Sequence, residues 1–149
     1  FSVSRASVDL ASLAEEVVAA WSGRAAVLGA TVSASGSGTA VTDARRARQV
    51  LDGLVENALR SGGARVVLEV RGTRIAVVDD GPGLTPDDLG VAFVRGALRA
   101  RYRDVRSMGT GLGLSIAARL VSRLGGTIAV SNRPEGGAVF EVGLPPNLT

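Results

Sequence analysis

The chain has 149 residues, a net charge of +3, and neither cysteine nor histidine. That length supports one domain with one core. The missing cysteines exclude a disulfide framework, a thiol nucleophile and Cys-based zinc sites, and the missing histidines exclude triads of the Ser-His-Asp type. Lysine is absent too, so all 17 basic residues are arginine and a Walker A phosphate loop is excluded.

Hydrophobic residues make up 46% of the chain and 20 glycines interrupt them, a globular pattern. The arginine excess is compatible with an anionic partner such as nucleic acid. Aromatics at 3% offer no stacking platform, so direct nucleic-acid binding is not expected. No apolar run approaches the ~20 residues needed to span a bilayer. Phe1 to Arg5 do not resemble a signal peptide.

In chain order, Val8 to Trp21 carries Leu10, Leu13, Val17 and Val18 at helical spacing, with Ser7 as its cap. Ala30 to Ala34 reads as a short strand and Ser35 to Thr39 as a Gly/Ser loop. Thr42 or Asp43 caps a second helix to about Arg60, with Ala47, Val50, Leu51, Leu54, Val55 and Ala58 on one stripe. Gly62-Gly63 stops it. Arg65 to Val70 and Arg74 to Val78 form a hairpin around Arg71-Gly72. After the loop Asp79 to Leu84, Thr85-Pro86-Asp87-Asp88 starts a short helix, with proline at the first helical position. The arginine-rich stretch Gly96 to Met108 reads as a mobile loop. Gly109 to Gly113 leads into a helix ending at Gly125-Gly126, and Thr127 to Ser131 and Ala138 to Leu144 close the chain as strands. Strands joined by such short turns must be antiparallel, so the sheet is mixed.

Three constellations carry chemistry. In Val77-Val78-Asp79-Asp80-Gly81-Pro82-Gly83-Leu84 a strand runs into an acidic glycine loop, where a carboxylate can accept the exocyclic amine of adenine. By itself this is equally the pattern of a tight turn with an Asx cap. Gly109-Thr110-Gly111-Leu112-Gly113 opens a helix, whose free N–H groups attract phosphate without lysine; a flexible hinge looks the same. Asn57 and Arg60 share a helix face, an oxygen donor suited to Mg²⁺ beside a phosphate-neutralising cation, or simply two solvated polar groups.

In this order the three motifs resemble the ATP-binding catalytic domain of bacterial sensor histidine kinases, in the wider family of gyrase, heat-shock protein 90 and MutL. Leu54 to Arg60 resembles the N box, Asp79 to Gly83 the G1 box, Phe93 to Gly96 the F box, Gly109 to Ile116 the G2 box, and Gly136 to Phe140 the last glycine box. The resemblance covers nearly all of residues 1–149, as a single domain. It implies a Bergerat-type α/β (α+β) two-layer sandwich, a mixed and largely antiparallel sheet with helices on one face.

The same resemblance implies the site. Asn57 would hold Mg²⁺ and Arg60 the phosphates of ATP. Asp79 would accept the adenine amine, with Gly81 beside it and Gly83 letting the base approach. Gly109, Thr110, Gly111, Leu112 and Gly113 would wrap the triphosphate. Residues from about 84 to 108 would form the ATP lid, anchored by Phe93, with Arg95 reaching the γ-phosphate. It further implies donation of the γ-phosphoryl group to a histidine on a dimerisation and phosphoacceptor hairpin, then to a response regulator. The isolated chain is expected to be monomeric and cytoplasmic, with a membrane-anchored parent.

Departures of two kinds, in the residues around Asn57 and in the missing acceptor, qualify this. Gly53 stands one turn before Asn57, where the family's ATPases and serine-kinase anti-sigma factors carry a glutamate base. Glycine cannot activate water or a serine hydroxyl, and Glu56, next to Asn57, points about 100° away. Ser61 replaces the usual aromatic or histidine after Arg60. The second departure is the absent acceptor histidine: the chain is an excised domain, or its acceptor lies on a separate protein. A nucleotide-binding module without transfer, or a serine-kinase anti-sigma factor, are the alternatives.

Overall fold

The computed structural model describes residues 2–85 and 112–146, with side chains in the second stretch from residue 114 onward. Its elements are β1 (Ala6–Asp9), α1 (Leu10–Val27), β2 (Thr31–Ser37), β3 (Thr39–Thr42), α2 (Ala44–Arg60), β4 (Arg65–Arg71), β5 (Arg74–Asp79), α3 (Leu112–Arg123), β6 (Thr127–Asn132) and β7 (Ala138–Gly143).

Five strands form one sheet in the order β2-β4-β5-β7-β6. Only the β2–β4 pair is parallel; β4–β5, β5–β7 and β6–β7 are antiparallel. Strand alternation sorts the residues of β4: Val66, Leu68 and Val70 are buried, while Arg65, Glu69 and Arg71 are exposed. Val70 pairs with Ile75, and Val77 with Phe140, so one apolar face runs across the sheet. Against it pack Leu10, Leu13 and Val17 of α1, Val50, Leu51 and Leu54 of α2, and Leu120, Val121 and Leu124 after the G2-like segment. Each such aliphatic side chain contributes about 1.5–3 kcal/mol by leaving water. On the other face Arg74 Nη1 and Glu141 Oε1 pair at 2.9 Å. The sheet is therefore mixed, largely antiparallel, and covered by helices on one face, as the sequence implies.

Several local expectations are corrected. Ser7 does not cap α1; it pairs with Val41 in a small antiparallel ribbon of β1 and β3. Asp9 caps instead, its Oδ1 accepting from Ala11 N–H at 3.0 Å and Ser12 N–H at 3.1 Å. A carboxylate outranks a hydroxyl here because it accepts two orphan amide protons with a full charge. The helix runs past Trp21 to Val27, because Ala25 is fully buried and repays continuation through Gly23. Ser35 to Thr39 is not a loop: pairing with β4 draws it into β2 as far as Ser37, and β3 begins at Thr39. Ladder hydrogen bonds here override weak strand propensity.

Asp43 caps α2, as read. Its Oδ1 accepts from Arg45 N–H (3.1 Å) and Arg46 N–H (3.2 Å), and its Oδ2 from Ser4 N–H (2.9 Å). The Ser4 bond leads the interactions that hold this carboxyl below its usual value. Replacing Asp43 by alanine is expected to lower stability by about 1 kcal/mol, measured by urea unfolding. A depressed carboxylate stabilises the fold above the unfolded-state value and stops doing so as pH falls through the folded-state value. Asp43→Ala should therefore also flatten the loss of stability on acidification below about pH 5.

Candidate functional site

The site begins where β5 ends. Asp79 is 1% exposed and lies on the helix-covered side of the sheet. Its Oδ1 accepts from Gly81 N–H at 2.8 Å, which curls the chain back at once after the strand. The packing at 81 is tight: a Cβ there would stand 3.0 Å from Asp79 Oδ1 and 3.3 Å from the Ser61 carbonyl oxygen. A Cβ on Gly63 would stand 3.2 Å from Asp79 Cβ. The C-terminal turn of α2 thus closes directly on the aspartate. Ser61 is buried, and its hydroxyl donates to the Ala58 carbonyl at 2.9 Å.

Adjacent aspartates do different work. Asp80 turns away, its Oδ1 accepting from Ala64 N–H at 2.8 Å and Arg65 N–H at 2.9 Å. The Arg65 bond leads the interactions that hold this carboxyl below its usual range. Asp80 therefore fastens the α2–β4 turn to the Asp79 loop, a role the sequence does not reveal.

The far end of the loop is fastened from β6. Asn132 Oδ1 accepts from Leu84 N–H at 2.8 Å, and Asn132 Nδ2 donates to the Leu84 carbonyl. Gly83 has φ of +75°, and a Cβ on it would lie 2.8 Å from Asn132 Oδ1. The demand for glycine at 83 thus has a source inside the protein, apart from any approaching base. Arg133 Nη1 donates to the Asp79 carbonyl at 3.3 Å. Asn132 and Arg133 were missed in the sequence, where they look like ordinary residues of a turn.

On α2, Asn57 is 8% exposed and its Nδ2 makes no hydrogen bond. A buried amide with an unmet donor fits a ligand at this point. Among the described residues no cluster of three or more acidic, histidine or cysteine side chains is placed to hold a metal. The unmet N–H calls for an acceptor such as a phosphate oxygen; a metal here would have to be held through Asn57 Oδ1, and Mg²⁺, which keeps several waters and binds through one or two protein ligands, is the ion so sparse a donor set would suit.

Arg60 is half exposed, its Nη2 lying 3.8 Å from Glu56 Oε2. With Trp21, Arg24, Leu28 and Leu59, this pair lines a groove of about 370 Å³ between α1 and α2. An exposed pair at that distance is worth under about 1 kcal/mol, so the guanidinium is available to a phosphate. Gly53 is partly exposed one turn before Asn57 and offers no acid there.

Leu112 and Gly113 open α3, which packs against α2. Phe93, Arg95, Gly109, Thr110 and Gly111 lie outside the described residues, as do the helix start at Pro86 and all of the 84–108 segment beyond Thr85.

A buried carboxylate at a strand end, glycines closed around it and an open-ended amide on the facing helix define a nucleotide-binding α/β sandwich. Residues 42–148 match the family described as histidine kinase-, DNA gyrase B- and HSP90-like ATPase, and the chain belongs to that family, among the ATP-binding domains of histidine kinases. It is 37% identical over 142 residues to the signal transduction histidine-protein kinase AfsQ2 of Streptomyces coelicolor, covering 93% of this chain and 26% of that protein. To the adaptive-response sensory kinase SasA of a Synechococcus strain it is 33% identical over 149 residues, covering 93% of this chain and 38% of that one. The chain thus spans well under half the length of these relatives. Among solved structures, full-length ShkA in complex with AMPPNP superposes with a TM-score of 0.77 at 30% identity, over 97% of this chain and 32% of ShkA. The ATP-binding domain of PrrB from Mycobacterium tuberculosis superposes at 0.73 with 26% identity, over 96% of this chain and 98% of that one. No described helix is long and apolar enough to cross a membrane.

Proposed function

We propose that this chain binds ATP with Mg²⁺ between α2, the Asp79 loop and the start of α3. It then donates the γ-phosphoryl group to a histidine on a dimerisation and phosphoacceptor helical hairpin, from which the group passes to a response regulator. The observation that carries this reading is the buried Asp79 at the end of β5, framed by Gly63 and Gly81. The AMPPNP complex of ShkA supports it.

In this reading Asp79 accepts the adenine amine. Backbone N–H groups of Gly109, Thr110, Gly111, Leu112 and Gly113 face the triphosphate, as oriented donors at a helix start do. Phe93 anchors the segment from 84 to 108, and Arg60 and Arg95 offset charge on the phosphates. Asn57 would hold Mg²⁺, which would supply charge neutralisation to the phosphates. The lone pair of a neutral imidazole nitrogen attacks the γ-phosphorus, an N–P bond forms, and the bond to the β–γ bridging oxygen breaks. ADP leaves with that electron pair. No base is needed on this chain, because the acceptor nitrogen is already nucleophilic; the work is positioning and charge stabilisation. Gly53 fits that division of labour. The chain acts as a monomer without contact to nucleic acid or membrane, and its parent works on the cytoplasmic side of a membrane.

The same Gly53 favours one second reading, a nucleotide-binding module without transfer. Radiolabelled ATP separates the two. The chain alone should bind ATP and remain unlabelled; adding the acceptor hairpin should yield acid-labile phosphohistidine on the hairpin. Binding without transfer under any condition selects the module. Acid-labile label on this chain by itself overturns both.

A further inference from the structure

We propose that Asn132 is a positioning residue for the nucleotide, acting through the Asp79 loop; this rests on the ATP-binding reading above. Asn132 is the last residue of β6, an edge strand, and two strands separate it from β4 beside the α2–β4 turn. Its carboxamide presents an acceptor and a donor in the spacing of a peptide group. It uses both on a single residue of the glycine loop, Leu84 N–H at 2.8 Å and Leu84 C=O. The loop therefore ends as though it had found one more rung of sheet. Leu84 itself is 6% exposed and joins the core, so neither end of the loop is free to slide.

Two further contacts come from the same β6–β7 turn. Arg133 Nη1 donates to the Asp79 carbonyl at 3.3 Å, and Arg133 Nε is itself held by Glu135 Oε1 at 2.9 Å. Gly137 lies against the same carbonyl. The β6–β7 connection thus backs the loop at its first residue and at Leu84, where Asn132 holds both the N–H and the C=O of the backbone. A carboxylate that must meet an adenine amine within hydrogen-bond distance depends on such support, because a displacement of about 1 Å loses most of the bond. Its effect passes through the backbone of residues 79–84.

The test uses this chain with ADP and with adenosine, by calorimetry, for wild type, Asn132→Ala and Asn132→Asp. Asn132→Asp keeps the shape of the side chain but loses the donor to the Leu84 carbonyl, so it answers the question if the alanine variant unfolds. Affinity is expected to fall about tenfold for ADP and by the same factor for adenosine, since the loop serves the base. Amide exchange at Leu84 should accelerate at least tenfold while Val77 and Phe140 keep wild-type protection, a split that general loosening would not produce. Variants that bind ADP within twofold of wild type overturn the positioning role and leave the ATP-binding reading standing. A wild-type chain that binds neither ligand overturns the ATP-binding reading, and the positioning role with it.

Discussion

Asp79→Asn is expected to weaken ATP binding about 100-fold while leaving the fold intact. Asp79 is 1% exposed, so its charge is little screened by water. A charge-assisted hydrogen bond contributes about 1.5–3 kcal/mol, and removing a matched acceptor leaves the partner's donor buried. The carboxamide can still accept from Gly81 N–H through its oxygen, as Oδ1 does now at 2.8 Å. Its NH₂ group then takes the other buried position and confronts the adenine amine, donor against donor. Calorimetric titration with ATP, beside a thermal melt of each protein, checks this. Undiminished affinity in a folded Asp79→Asn variant would remove the site assignment, because every other role was placed relative to this carboxylate.

Gly137→Ala is expected to damage both stability and binding. Gly137 has φ of +101°, outside the region L side chains adopt readily. An added Cβ would also fall 1.9 Å from the Asp79 carbonyl oxygen and 2.9 Å from Asp80 Cα. Both atoms belong to the backbone, so no side chain can simply swing aside. Strain of this kind costs about 1–3 kcal/mol, and overpacking a similar amount again. The expected fall is about 3 kcal/mol, or roughly 10 °C in Tm for a chain of this size. Gly136→Ala is the control: its φ is +104°, but nothing lies within 4 Å of the added Cβ. The difference between the two variants isolates the steric contribution. Because the backbone of Asp79 must move to admit Gly137→Ala, ATP affinity should fall with stability in that variant and hold in Gly136→Ala. Equal effects of the two substitutions would mean that backbone strain alone accounts for the position.

The larger part of the fold was legible because the signals were local. The stripe Ala47, Val50, Leu51, Leu54, Val55 and Ala58 is buried throughout, as a 3.6-residue period requires. The hairpin of β4 and β5 followed from alternation around a two-residue turn. The small ribbon of β1 and β3 could not be read, because its partners lie 30 to 36 residues apart and neither segment alternates. Ser35 to Ser37 failed for the same reason: Ser and Gly say loop locally, and only the neighbouring β4 says strand.

In the candidate site, glycine spacing and the acid at a strand end marked the loop from Asp79 to Leu84 without any structure. Residue chemistry alone also excluded lysine, histidine and cysteine from whatever held the phosphates. What the sequence by itself determined was thus the family, the two long amphipathic elements around the β4–β5 hairpin, and which residue types are absent from the chain. Only the tertiary structure decided what the neighbouring aspartate does: Asp79 is buried, while Asp80 is spent on the Ala64 and Arg65 amides. It also decided that Asn132, forty-eight residues beyond Leu84, holds the loop. The physical reason is common to both. Local propensity and period act over one or two turns of chain, whereas the direction of a side chain at a strand end depends on which distant donors and acceptors the sheet brings beside it.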